Sequence, residues 1–291
     1  MLASRALFGS AHQILTQILS KWGITYTYLD ATAPENDWEA AIRTNTKMIY
    51  LETPSNPGLE LVDMAMVGRI AKKYDLIYYV DNCFATPIIH TPTDFGANLI
   101  VHSATKFMDG QGRVLGGIIT GTKELIAPIR FFCRHTGPSM SPFNAWVLSK
   151  SLETLEIRMQ RHCENAMKLA KALQKMDGII HVKYPHLPTH PQYALAKKQM
   201  SAGGALVTFE LEGGFERVNR FTQLVKIASN SSNLGDSRTI ITNPNTTTHS
   251  KLPKEDKVKL GITEGLIRCS VGLENIDDLI ADFKQAARKS I

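Results

Sequence analysis

Three polar residues, Asn56, Asp81 and Lys106, recur along the chain at an interval of 25 positions, each shortly beyond a compact apolar run. The runs are Lys47–Glu52, Leu76–Val80 and Leu99–His102. They are too short for helices and suit strands buried on both faces. Between the first two, Met66, Val67, Ile70 and Ala71 fall at helical spacing behind Asp63. An Asp there can accept the free amide protons of a helix's first turn. Strands alternating with helices predict an α/β chain with a parallel sheet covered on both faces. In open sheets of this kind, ligands bind beyond the carboxyl ends of the strands. The three recurring polar residues fall at those ends.

The same reading places a helix over Gln13–Lys21 and strands over Thr25–Leu29 and Gly116–Gly121, with a turn at Thr53–Pro57. Residues 141–176 read as a long, charged, mostly helical connector. Beyond it, Ile179–Val182, Ala205–Leu211, Ile227–Ser229 and Leu266–Val271 read as strands, with helices near 215–224 and 276–289. The expected organisation is a large domain over 1–140, a connecting helix over 141–176 and a smaller C-terminal α/β domain over 177–291. Residues 230–259, rich in Thr and Asn, read as a long functional loop.

Several classes of function drop out. The formal charge is only +6, and the basic stretch from Arg158 to Lys175 is interrupted by acids and lacks interleaved aromatics. It reads as a solvated helix face, so no nucleic-acid partner is expected. No apolar run approaches a membrane span, so no membrane partner is expected either. Cys83, Cys133, Cys163 and Cys269 are far apart with no CxxC pair, which argues against a disulfide framework and for a reducing, cytoplasmic setting. His181, His186 and His190 lie in a Pro-rich stretch without a nearby carboxylate, and read as surface histidines; no metal site is expected. Before Asp30 there is no acid, and Arg5 with Ile14, Leu15, Ile18 and Leu19 has an amphipathic look. A transit peptide would have this pattern; the first helix of the folded domain is the preferred reading.

Lys106 is the sharpest chemical candidate. A lysine at a strand end is a Schiff-base nucleophile if partial burial lowers its pKa. Ser103 and Thr105 beside it supply short hydroxyls for a phosphate. Asp81, at the next strand end, supplies the carboxylate that keeps a pyridine nitrogen protonated, so that the ring can act as an electron sink. The same residues also satisfy SxxK, with Ser103 as an acyl-enzyme nucleophile. That pattern needs a downstream KTG, and the chain has Thr120-Gly121-Thr122-Lys123, in the wrong order.

Val80-Asp81-Asn82, Ser103-Ala104-Thr105-Lys106 and Ile267-Arg268-Cys269-Ser270-Val271-Gly272 together resemble the Cys/Met-metabolism PLP enzymes, the trans-sulfuration group. Glu52–Pro57, Ser141–Ala145 and Leu234-Gly235-Asp236 support the resemblance, which runs from about Leu7 to the C-terminus. It implies the PLP-dependent type I (aspartate aminotransferase-like) fold, pyridoxal 5′-phosphate as cofactor, an amino-acid substrate with a sulfur donor, and a homo-oligomer, dimer or tetramer. It further implies that Lys106 carries the cofactor and shuttles protons at the substrate Cα. Asp81 would pair with the ring nitrogen, Ser103 and Thr105 would hold the phosphate, and Asn56 would bond the ring hydroxyl oxygen. Arg268 would clamp the substrate carboxylate bidentately, with Asn233 also at the substrate. Phe8 stands where many relatives have a Tyr stacked on the ring, so the stacking is kept and a phenol lost.

Asn233-Leu234-Gly235-Asp236 and Ala6–Ser10 look most like the bacterial O-succinylhomoserine sulfhydrylases. The implied reaction is γ-replacement on an O-acylhomoserine, giving homocysteine or cystathionine in methionine biosynthesis. The alternatives are a C–S lyase on the same scaffold and an inactive fragment or assembly partner. Relatives carry a further segment ahead of this point, with phosphate-binding amides and a Tyr and an Arg that reach the neighbouring subunit's cofactor. The chain is therefore expected to be N-terminally incomplete.

Overall fold

Eleven strands, sorted into two sheets, frame the protein. The structure is a computed structural model that describes residues 1–291 apart from the side chain of Lys259. The first sheet holds β1 (Leu2–Ser4), β2 (Thr27–Leu29), β3 (Met48–Glu52), β4 (Ile77–Asp81), β5 (Leu99–Ser103) and β6 (Gly117–Gly121). Their spatial order is β2-β1-β3-β4-β5-β6, parallel throughout except for β6, which runs antiparallel to β5. The second sheet holds β7 (Ile179–Lys183), β8 (Leu206–Leu211), β9 (Ser229–Asn230), β10 (Ile240–Thr242) and β11 (Leu266–Ser270). Its order is β7-β8-β11-β10-β9, and only the β9–β10 pair is parallel.

Local chemistry explains the central elements. In β4 the alternate residues Tyr78 and Val80 are fully buried, the period of a pleated strand. The helix Met64–Lys73 starts where Asp63 Oδ1 accepts the Met66 N–H at 2.9 Å. It buries Met66, Val67, Ile70 and Ala71, and ends on Lys72 and Lys73, which suit the negative end of its dipole. Each fully buried Val or Ile contributes roughly 1.5–3 kcal/mol. Gly68 lets this helix press against the chain at Phe95, whose carbonyl oxygen would lie 1.9 Å from any Cβ added there.

Apolar clusters fill the space around each sheet. A further cluster joins Phe84 and Phe107 to Leu148 and Met159 of the connecting helices and to Leu206 and Leu234. It holds the carboxyl ends of the first sheet against the second.

Several expectations change in detail. The helix expected over 13–21 is an α turn (Gly9–Gln13) running into a π turn (Ile14–Ile18) and a 3-10 turn (Leu19–Trp22). Ile14, Ile18 and Trp22 are exposed there, so the apolar spacing is not matched by burial. The connector consists of two helices, Pro142–Leu152 and Leu155–Leu173, the first capped by Ser141 accepting the Asn144 N–H. The expected loop over 230–259 also contains β10 and the helix Lys254–Lys259. His186 and His190 are not surface residues. Both are buried, with Nε2 against the carbonyls of Ala196 and Leu59 respectively. Backbone acceptors, invisible in a local count of carboxylates, account for them.

Candidate active site

Parallel pairing brings the strand ends together. Glu52 closes β3, Asp81 closes β4 and Ser103 closes β5. In register, Glu52 is the Cα partner of Asp81, and Asp81 that of Val101. Asn56 follows β3 by four residues and Lys106 follows β5 by three, so all of these lie along one edge of the sheet. The second sheet closes over that edge. It brings Arg268 from the middle of β11 and Asn233 from the segment after β9. A cavity of about 880 Å³ results, within the ~300–1,000 Å³ of small-molecule sites. Phe8, Asn56, Asp81, Ser103, Thr105, Lys106, Asn233 and Arg268 all line it. Every site residue expected from the sequence therefore faces one space.

The loop that carries Lys106 is pinned from several sides. Its backbone amide donates to the Ser103 carbonyl at 3.1 Å, and its own carbonyl accepts from Gly110 at 2.8 Å. Arg158, on the second connecting helix, donates to the carbonyls of Phe107 (2.6 Å) and Met108 (3.1 Å). Gly235 packs so closely that a Cβ there would stand 2.8 Å from Lys106 Cβ, and its φ of +76° also favours glycine. The Lys106 ammonium donates to Asn233 Oδ1. Burial pushes this amine below its ordinary range, and the charge of Arg268 adds to the effect.

Asp81 is held differently. Its Oδ1 accepts the Cys83 N–H at 3.0 Å, and burial pushes its carboxyl up to about 6. Among the described residues no cation pairs with it. Cys83 lines the same cavity, and burial raises its thiol, so the sulfur stays protonated.

Arg268 is 1% exposed. Its Nη1 donates to Asn56 Oδ1 at 3.1 Å, and its Nη2 to the carbonyls of Ser232 (3.0 Å) and Asn233 (2.9 Å). Its Nε is buried without a partner. Burial lowers the guanidinium to about 10, still charged at neutral pH. With both Nη2 protons committed, a bidentate carboxylate clamp requires one of these bonds to give way. Thr105 Oγ1 exchanges hydrogen bonds with the Gly116 backbone, accepting at 3.0 Å and donating at 3.3 Å.

The cavity wall also holds residues that the sequence reading passed over, among them Glu52, Cys83, Leu115, Thr247 and Thr248. Glu52 was legible in principle, as an acid ending an apolar run. Thr247 and Thr248 fall in the 230–259 stretch read as a functional loop, but nothing in its run of Thr and Asn singles them out.

This donor set fits a phosphorylated pyridine aldehyde. A half-buried amine of lowered pKa suits imine chemistry. A buried carboxyl without a cation suits a protonated ring nitrogen. The unpartnered Arg268 Nε suits a carboxylate.

Comparisons with known proteins agree with the geometry. Residues 1–288 match the family of Cys/Met metabolism PLP-dependent enzymes. The chain is 45% identical over 286 residues to O-succinylhomoserine sulfhydrylase of Pseudomonas aeruginosa, covering 97% of this chain and 70% of that protein. It is 42% identical over 287 residues to an L-methionine gamma-lyase of Porphyromonas gingivalis, covering 98% and 72%. In three dimensions it resembles cystathionine gamma-lyase from Lactobacillus plantarum, solved with L-serine. That match has a TM-score of 0.95 and 33% identity, over 100% of this chain and 76% of that one.

Proposed function

The chain belongs to the Cys/Met metabolism PLP-dependent enzymes, and from this premise we propose that it replaces the γ-acyloxy group of an O-acylhomoserine, O-succinylhomoserine above all, by sulfide or a thiol. Its fold is the type I α/β fold of these enzymes and its cofactor is pyridoxal 5′-phosphate. The products would be homocysteine or cystathionine, which belong to methionine biosynthesis. We place it as a homo-oligomer, dimer or tetramer, in the cytoplasm. Exposed Phe131, Phe132, Phe143 and Trp146 favour an assembled form. Among the described residues no helix is long and apolar enough to cross a membrane.

The roles follow from the side chains. Lys106 would carry the cofactor and, once displaced by the substrate amine, take the Cα proton and serve at Cβ. Each such proton transfer contributes roughly 10²–10⁴ in rate. The bound cofactor supplies an electron sink for the charge left at Cα. Asn233 would hold the freed Lys106 amine in place, as its Oδ1 accepts that amine here. Asp81 would keep the ring nitrogen protonated, Asn56 would bond the ring hydroxyl oxygen, and Phe8 would cover a ring face. Ser103 and Thr105 would hold the phosphate, and Arg268 the substrate carboxylate.

One observation supports replacement over elimination: among the described residues of this chain, the cavity wall holds the Phe8 ring, 40% exposed, and no tyrosine. A carboxylate departs as a stable anion (acid pKa of about 4), whereas a thiolate (thiol pKa of about 8.5) departs better when protonated. Cys83 is a poor acid for that task because burial raises its thiol. Glu52 is committed to two backbone amides. An ester is therefore the substrate that this wall serves best.

The likeness to methionine and cystathionine gamma-lyases keeps a lyase as the second reading. The test uses the full chain with added PLP. Faster formation of homocysteine from O-succinylhomoserine and sulfide than of α-keto acid and ammonia from methionine supports the proposal. The reverse order overturns it in favour of the lyase. A chain that stays colourless with PLP, and is unchanged by borohydride, is a non-catalytic member instead.

A further inference from the structure

Glu52 has no part in the reaction above, yet it is only 4% exposed and stands beside Asp81 at the strand ends. Its Oε2 accepts the Phe8 N–H at 2.7 Å, and its Oε1 accepts the Asn56 N–H at 3.1 Å. The two amides come from chain positions 44 residues before it and 4 residues after it. The two donors reach different oxygens of Glu52, and an ionised carboxylate offers both as acceptors, whereas an amide in its place offers one acceptor oxygen. The placement is costly, since a buried acid without a cation is unfavourable. Burial, and then the nearby Asp81, push the Glu52 carboxyl above its ordinary range. Among the described residues no cation offsets it.

We propose that Glu52 is a positioning residue that ties Phe8 and Asn56 into one rigid unit, so that the group over the cofactor ring and the group at its edge meet the ring at a fixed separation. The link continues, since Asn56 Oδ1 accepts from Arg268 Nη1 at 3.1 Å. One carboxyl thereby sets the stacking face and, through Asn56, the guanidinium reserved for substrate. The inference rests on the PLP cofactor and holds whichever reaction the chain runs.

The test compares full-length wild type, Glu52→Ala and Glu52→Gln by amide hydrogen exchange resolved at Phe8 and Asn56, without cofactor. Glu52→Ala should speed exchange at both amides by roughly tenfold or more, and Glu52→Gln at one of them. With PLP added, both variants should bind it roughly ten- to a hundredfold more weakly and show reduced visible circular dichroism from the bound ring. Exchange along the rest of β3 and β4 should not change. Unaltered exchange at the two amides overturns the proposal. So do wild-type PLP affinity and dichroism despite faster exchange, and a uniform loosening of β3 and β4, which marks a merely structural role. If Glu52→Ala does not fold, Glu52→Gln and the wild type decide. In the wild type, PLP should slow exchange at Phe8 and Asn56 together, and slowing at one alone overturns the idea.

Discussion

Replacing Asp81 by Asn should strengthen the cofactor-free protein and weaken its hold on PLP. The Oδ1 of Asn can keep the bond that Asp81 accepts from Cys83 N–H at 3.0 Å, so the change removes a charge and little else. Burial holds the Asp81 carboxyl at about 6 in the fold, against an ordinary 3.8. The folded chain thus binds this proton more tightly than the unfolded chain does. The group costs nothing when protonated in both states, and its penalty grows as pH rises from the unfolded value of 3.8 to about 6. Above that window the penalty levels off at about 3 kcal/mol. Removing the Asp81 charge also relieves Glu52, whose carboxyl it helps to push up, so the gain moves in the same direction. Urea unfolding of cofactor-free wild type and Asp81→Asn, from about pH 5 to about pH 8, measures the difference curve. The variant's advantage should already be about half its final size at pH 5 and should level off on the order of 3 kcal/mol by about pH 7. PLP binding should move the other way, because losing one partner of a buried charge pair costs about 3–5 kcal/mol, a hundredfold or more in affinity. A difference that is flat in pH, a variant less stable than wild type at pH 8, or PLP held as tightly as before would each refute the reasoning.

Two further outcomes are expected. Lys106→Ala should fold, since the amine's one side-chain partner is Asn233, but it should show no visible cofactor band and no hydride-trapped adduct, with activity down by at least roughly 10²–10⁴. An unchanged band and unchanged trapping would remove Lys106 from the chemistry. His90, His102, His162 and His249 are each held down to about 4 by burial, so they stay neutral in the fold while the unfolded chain protonates them below about 6.5. Stability should therefore fall by several kcal/mol as pH drops from about 6.5 toward 4, the opposite slope to that of Asp81. A denaturation midpoint that holds steady across this range would contradict the burial of these rings.

Much of the site could be read from residues alone, and the reason is local. Short apolar runs ending in Asp81 and in Ser103–Lys106 declare both a strand and its carboxyl end, and Asp63 declares a helix start. These signals act over a few residues and survive without tertiary context. The quoted motifs carried the rest as far as Arg268, Asn233 and Phe8.

Only the tertiary structure decided which strand ends meet and what closes over them. That β3, β4 and β5 stand side by side in register sets Glu52 against Asp81, a pairing with no trace in the 25-residue interval. Crossing of the second sheet onto that edge brings Thr247, Thr248 and the carbonyls around Arg268 into place, across more than 100 residues of chain. Packing elsewhere in the fold buries His186 and His190, which read as surface residues, and leaves Ile14, Ile18 and Trp22 exposed where their spacing promised a buried face. Periodicity along the chain selects the type of an element, whereas burial and charge pairing depend on which elements pack against one another, and that is a property of the whole fold.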